Sequence, residues 1–286
     1  DRFFYRSLPR AGTLFAATSS VHDMYQSTKL TDDSLHGDKW PVVTGRILAS
    51  TDRGASWTEL HDFGSPVVYL ALDPSAPRIY ASVVNRTTGG VYACALPTAL
   101  LPAAGGLACS RLAAPPRTEG RPYTLHALAD GGLVVAYSGR ETVHSSAGNF
   151  TPSAGVFYRE AGADAWRDVS HPAMHLYTKD VTLDPHDASQ STWYAAVAIT
   201  WGPQGKPGGL WRTRDRGATW TQLPMALARG GVESATVSPD DARSVWVATE
   251  REGLWHCCGD ACARARGYPF FHPLRVLFNP HAPGEM

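Results

Sequence analysis

Ser50-Thr51-Asp52-Arg53-Gly54-Ala55-Ser56-Trp57 returns as Thr213-Arg214-Asp215-Arg216-Gly217-Ala218-Thr219-Trp220. Both stretches read Ser/Thr-x-Asp-x-Gly-x-Ser/Thr-Trp, and a Thr follows each. The spacing has a physical reading. The Asp accepts hydrogen bonds from backbone N–H groups of its own tight turn. The Gly supplies a backbone conformation that a side chain would forbid. The Trp is expected to fold back and bury its ring between neighbouring sheets. Two such copies speak of repeated architecture: they stabilise turns and do no chemistry.

A longer phrase repeats around them. Val67-Val68-Tyr69-Leu70-Ala71-Leu72-Asp73-Pro74 leads to Arg78-Ile79-Tyr80-Ala81-Ser82, then Gly89-Gly90-Val91-Tyr92. The same order recurs from Lys179 through Asp184-Pro185, Trp193 and Gly208-Gly209, and again from Ser234 through Pro239, Val245 and Gly253. Weaker copies start at Phe3 and Leu125, and a last one at Arg275-Val276-Leu277-Phe278-Asn279-Pro280. A period of about 40 to 55 residues fits four-stranded propeller blades. The expected fold is all-β: one β-propeller domain over 1–286, with blades near 2–63, 66–112, 123–169, 176–223 and 232–271. A sixth blade, 273–286, is incomplete. An open last blade exposes apolar edges, so the natural chain is expected to continue past Met286.

The 286 residues are 43% hydrophobic, enough for one large domain with a core. Twenty-six basic and 26 acidic residues balance. That balance argues against a nucleic-acid binder or a polybasic membrane binder. No apolar run approaches the roughly 18 residues that span a bilayer. Cys94 and Cys109 flank a Pro-, Ala- and Gly-rich loop, and Cys257, Cys258 and Cys262 cluster. A Cys94–Cys109 disulfide and one bridge within the cluster are expected, which places the chain in an oxidising compartment, extracellular or periplasmic. A metal site using His256 and Asp260 is the alternative, disfavoured because adjacent cysteines do not share one ion in the Cys-x-x-Cys manner. The eleven His residues are scattered without ligand spacing, and no cofactor motif is present.

The two eight-residue stretches resemble the Asp-box, or BNR repeat, of secreted β-propellers such as sialidases. The run Phe4-Tyr5-Arg6-Ser7-Leu8-Pro9 is similar to the start of a sialidase propeller, where an Arg-Ile-Pro element supplies an Arg to the substrate carboxylate. The resemblance implies that role for Arg6, although Ser7-Leu8 stands in place of Ile. Asp23 falls after the first strand pair, where that family keeps an Asp. The family's further Arg residues and Tyr–Glu pair have no motif here. As a whole the chain resembles BNR-repeat and WD40/YVTN/BNR-like secreted proteins, at a distance xyloglucan-cleaving and sortilin-type propellers. That wider resemblance names a fold and no reaction.

Propeller pockets draw on inner-strand ends and on the loops that join blades. The polar residues there are Arg117, Glu119 and Arg121, then Lys179 and Asp180, Arg229 and Glu233, and His272 and Arg275. Second-strand ends add His22, Asp23, Tyr137, Arg140, Glu250 and Glu252. The candidate catalytic residues are Asp23, Glu119, Asp180, Glu250 and Tyr137. The candidate substrate-binding residues are Arg6, Arg117, Arg140, Lys179 and Arg275, with Trp40 and Trp201 as stacking platforms. Trp57, Trp166 and Trp220 are expected in the core, and Trp193, Trp211, Trp246 and Trp255 in strand packing. Carboxylates among Arg and Tyr fit glycoside hydrolysis. They fit equally solvated loop charges and inter-blade salt bridges. Two functions stay open: a sialidase-like glycoside hydrolase acting on a glycan or polysaccharide, and a non-catalytic propeller binding glycan or protein at a cell surface.

Overall fold

The computed structural model describes residues 2–10, 12–20, 45–97, 106–139, 150–198, 208–227, 230–279 and 285, with side chains from residue 12 onward. Five four-stranded sheets form in chain order. They are β1 (Arg2–Arg10), β2 (Thr13–Ser20), β3 (Gly45–Ser50) and β4 (Thr58–Asp62); β5 (Val67–Leu72), β6 (Arg78–Val83), β7 (Gly90–Ala95) and β8 (Cys109–Arg111); β9 (Pro122–Ala127), β10 (Leu133–Tyr137), β11 (Gly155–Arg159) and β12 (Arg167–Asp168); β13 (Thr178–Leu183), β14 (Trp193–Val197), β15 (Gly209–Thr213) and β16 (Thr221–Gln222); and β17 (Val232–Val237), β18 (Ser244–Thr249), β19 (Leu254–Cys258) and β20 (Ala261–Arg264). In each sheet, strands that follow in sequence lie side by side. This is the repeating blade of an all-β propeller. Among the described residues the one helical element is a 3₁₀ turn, Pro172–Met174, and no helix is long and apolar enough to cross a membrane.

The chain divides into two compact units. One comprises 1–135 with 140–142 and 159–167; the other comprises 136–139, 143–158 and 168–286. In the first, Phe15, Ile47 and Leu60 of one sheet close on Val67, Leu70, Ile79 and Val83 of the next. In the second, Tyr194, Leu210 and Leu223 meet Val232, Val237, Val245, Val247 and Trp255. The second strands are the most deeply placed, and Trp193–Val197 and Leu133–Tyr137 are buried along their whole length.

The innermost strands share one irregularity. Pairing slips by one residue between Phe4 and Arg6, Val67 and Tyr69, Thr178 and Asp180, and Val232 and Ser234. The extra residues are Tyr5, Val68, Lys179 and Glu233. Such a bulge bends the strand and turns one side chain out of the alternation.

The two Asp-containing stretches form the turns between third and fourth strands. Asp52 accepts the Ser56 N–H at 2.8 Å and the Ser56 hydroxyl at 2.6 Å, while the Ser50 hydroxyl donates to it at 2.7 Å. Asp215 repeats this with Thr219 (2.8 and 2.7 Å) and Thr213 (2.7 Å). Gly54 and Gly217 have φ of 92° and 85°, and a Cβ on Gly217 would fall 2.7 Å from the Val169 Cβ. The tryptophans depart from expectation. Trp166, Trp193 and Trp255 are buried, but Trp57 and Trp220 are only half-buried. Each is fixed by its indole N–H, Trp57 to Gly54 O at 3.1 Å and Trp220 to Val169 O at 2.6 Å. Trp211 and Trp246 stack on His171 and His256.

Both expected disulfides are present, and both tie a third strand to its outer neighbour. Cys94 bonds Cys109 across β7 and β8, and Cys257 bonds Cys262 across β19 and β20. Cys258 is the free, exposed thiol. With two of its three sulfurs consumed, the cluster is no metal centre.

Three outcomes follow for stability. Trp220→Ala is expected to cost about 2 kcal/mol in chemical unfolding, roughly half the cost of a fully buried Trp. Replacing Cys94 and Cys109 together by Ala removes a bridge 15 residues apart in sequence and should cost about 3 kcal/mol. Asp52 is held down to about 2 by the Ser56 hydroxyl and N–H and then by the Ser50 hydroxyl. A depressed carboxyl gives stability that is complete above its ordinary 3.8 and fades as pH falls toward about 2. Unfolding curves of Asp52→Asn should therefore be less pH-dependent than wild type between those two values.

Candidate functional site

Two bulge residues meet in the second unit. The Lys179 ammonium lies 2.6 and 2.8 Å from the two oxygens of Glu233. It also lies 3.5 Å from Oε1 of Glu250, which directly follows β18. Because Glu233 Oε1 and Glu250 Oε1 share one Nζ, they are at most 6.1 Å apart. The three side chains are 10–12% exposed. The other oxygen of Glu250 accepts the Gly231 N–H at 3.2 Å. The Tyr177 ring, stacked on Phe150, faces the ammonium at 5.1 Å, a cation–π arrangement.

Further polar groups border this core. His272 Nε2 is 3.3 Å from Glu233 Oε1. Arg275 pairs with the buried Asp180 at 2.9 Å. Asp180 also takes the Ala235 N–H at 3.3 Å. Three carboxylates thus face one Lys and one Arg, an excess of one negative charge when His272 is neutral. Charges this far from water persist only with partners in place, so the cluster is tightly specified.

Of the residues singled out from sequence, Lys179, Asp180, Glu250 and Arg275 come together here. Glu233 and His272, read from sequence only as charged residues preceding strands, complete the group. A signal for Glu233 existed. Val68, Lys179 and Glu233 each stand six residues before a proline, Pro74, Pro185 and Pro239. Aligning the repeats on that proline puts a Lys and a Glu at one equivalent position in consecutive sheets. Other residues are placed elsewhere. Tyr137 is 1% exposed in β10, its ring edge-on to Phe157 at 5.6 Å. Glu119 is half-buried and Arg117 exposed with φ of 57°, both in the first unit. Arg6 lies in β1 opposite Ala17, its side chain outside the description. Asp23, Trp40, Arg140 and Trp201 lie outside the described residues. A concavity of about 380 Å³ at the β5–β6 turn is lined by residues 72–77. Its one carboxylate, Asp73, is taken up by Ser75, Ala76 and Tyr80, so it serves the turn.

No family model matches the chain, and no curated protein matches it. Solved structures do. The GH74 enzyme of Niastella koreensis superposes with a TM-score of 0.58 at 16% identity, over 88% of this chain and 35% of that one. The GH74 xyloglucanase of Xanthomonas campestris gives 0.57 at 15% identity, over 88% and 36%. PorZ, a surface component of the type-IX secretion system of Porphyromonas gingivalis, gives 0.56 at 12% identity, over 88% and 32%. The chain spans about a third of the length of each. At these identities the likeness establishes the propeller fold and nothing of the chemistry.

Removing the shared cation tests the cluster. Lys179→Met leaves two poorly exposed carboxylates facing each other and is expected to cost about 3 kcal/mol in chemical unfolding. Adding Glu233→Gln to that variant should recover part of the loss, a coupling read from the double-mutant cycle.

Proposed function

We propose that this chain is a carbohydrate-acting propeller whose reaction centre is the Glu233–Lys179–Glu250 group. The observation that carries the reading is a carboxylate pair on one ammonium, within 6.1 Å, at the ends of inner strands. Glycoside hydrolysis needs two carboxyl groups about 5 to 10 Å apart, one protonated and one ionised. In this reading Glu233, which holds the ammonium with both oxygens, serves as nucleophile or charge stabiliser, and Glu250, 3.5 Å from the same ammonium, serves as the acid to the leaving oxygen. Tyr177 and Arg275 border the pair. The two disulfides fit an extracellular or periplasmic setting.

The finer sialidase-like form rests on the two Asp-box stretches and on Arg6. It asks for several arginines on one substrate carboxylate. In the cluster described, Arg275 is committed to Asp180, which favours neutral glycans such as β-glucans over sialosides. A second reading, a non-catalytic glycan- or protein-binding propeller, draws on one observation: Lys179 already occupies both carboxylates.

Turnover on a panel of xyloglucan, other β-glucans and sialosides separates the readings. The enzyme reading expects hydrolysis that falls at least a hundredfold in Glu233→Gln and in Glu250→Gln, with glycan binding kept. No turnover on any glycan, with saturable binding to an arrayed one, moves the assignment to the binding propeller.

A further inference from the structure

The carboxyl groups of Glu233 and Glu250 are held at a spacing that selects between two reaction courses. Both residues belong to one sheet, on adjacent strands. Val232 of β17 pairs with Thr249 of β18. One step further out, the Glu250 N–H donates to Gly231 O at 3.0 Å, and the Gly231 N–H donates back to Glu250 Oε2 at 3.2 Å. Glu250 is thus clamped, by main chain and side chain, to the residue two positions before Glu233. Glu233 is the bulged residue of that same strand, so its side chain leaves the alternation there. The spacing is set inside a single sheet.

Lys179 closes the arrangement from β13. Its ammonium holds both oxygens of Glu233, at 2.6 and 2.8 Å, and Oε1 of Glu250 at 3.5 Å. The Tyr177 ring faces that ammonium at 5.1 Å. The Thr182 hydroxyl ties β13 to Ala235 O of β17 at 3.0 Å, which fixes how the two strands pass. One cation on both acids keeps their Oε1 atoms within 6.1 Å. With the three side chains 10–12% exposed, neither acid swings away without leaving a poorly hydrated charge behind.

An inverting glycosidase sets its carboxyl groups about 6.5 to 9.5 Å apart, because a water must fit between base and sugar. A retaining one sets them about 5 to 5.5 Å apart, because the second carboxylate itself attacks the sugar. The upper bound of 6.1 Å falls short of the inverting range.

Resting on the carbohydrate-acting reading above, we propose that hydrolysis retains the anomeric configuration and passes through a covalent glycosyl ester on Glu233. In the first step a Glu233 oxygen bonds to the anomeric carbon, the bond from that carbon to the leaving oxygen breaks, and Glu250 delivers its proton to that oxygen. In the second a water oxygen bonds to the anomeric carbon, the ester bond to Glu233 breaks, and Glu250 takes the water's proton. Each displacement inverts the carbon, so the two together restore it. Lys179 contacts both Glu233 oxygens and so keeps a hold on the one that does not attack.

The test uses the whole 286-residue chain and any β-linked glucan that it turns over. Proton NMR in the first minutes reads the new reducing end before mutarotation. The β anomer is expected first. The α anomer first overturns the proposal and leaves the hydrolase reading standing, whereas no turnover on any glycan overturns both. This measurement needs no variant. The second probe is 2,4-dinitrophenyl 2-deoxy-2-fluoro-β-cellobioside, whose fluorine slows the second step. Wild type should gain the mass of one glycosyl unit on the peptide that contains Glu233, and Glu233→Gln should gain none. A label on any other residue overturns the assignment of the ester to Glu233.

Discussion

One extra residue near the start of an innermost strand decides what the second unit can present. A β-strand alternates its side chains between two faces, and in β5 and β17 residues on both faces are buried. Without an irregularity a charged residue at such a position would be forced against a sheet. The bulge turns it aside. In β5 the position is Val68, which is buried and adds only to packing. In β13 and β17 it is Lys179 and Glu233, which find each other at 2.6 Å. The backbone device is the same in each case. The residue placed on it makes one copy a packing site and two others a charged cluster.

The sheets are also held edge to edge by hydroxyls. Thr182 reaches the backbone of the next inner strand, as does the Asp180 carboxylate through the Ala235 N–H, and Thr236 reaches the backbone at Val276. A side chain that bonds a neighbour's carbonyl fixes the depth at which two strands pass, which apolar contact alone leaves loose. That depth brings Glu250, at the end of β18, level with Lys179. Ala71 of β5 and Leu277 stand at the equivalent place in other repeats and have no hydroxyl to offer.

Much of this was legible in the sequence because the repeat is punctuated by residues with fixed backbone demands. Asp-Pro, Ser-Pro and Asn-Pro mark the turns after β5, β13 and β17 and after residues 273–278. The cysteines were legible because each pair brackets the link between two strands that follow in sequence. The exposure of Trp57 and Trp220 was not legible, because a turn motif fixes the indole hydrogen bond but not how closely another sheet covers the ring. Tyr137 was read as a candidate catalytic residue, and its depth in the sheet was not legible for a related reason. Its strand, Leu133–Tyr137, is buried throughout, so no polar–apolar alternation tells its last residue from the ones before. Glu233 looked like any loop charge until its equivalence to Lys179 was visible in the pairing slip.

The asymmetry of the ion cluster gives the carboxylates different prospects. Two identical acids in identical surroundings share protons and divide no labour. Glu233 meets the ammonium through both oxygens, at 2.6 and 2.8 Å, while Glu250 meets it through one at 3.5 Å. Any polar ligand entering between them competes first for the weaker contact. On the proposed function, a substrate hydroxyl entering between the two carboxylates would take over part of the contact that Lys179 makes with Glu250.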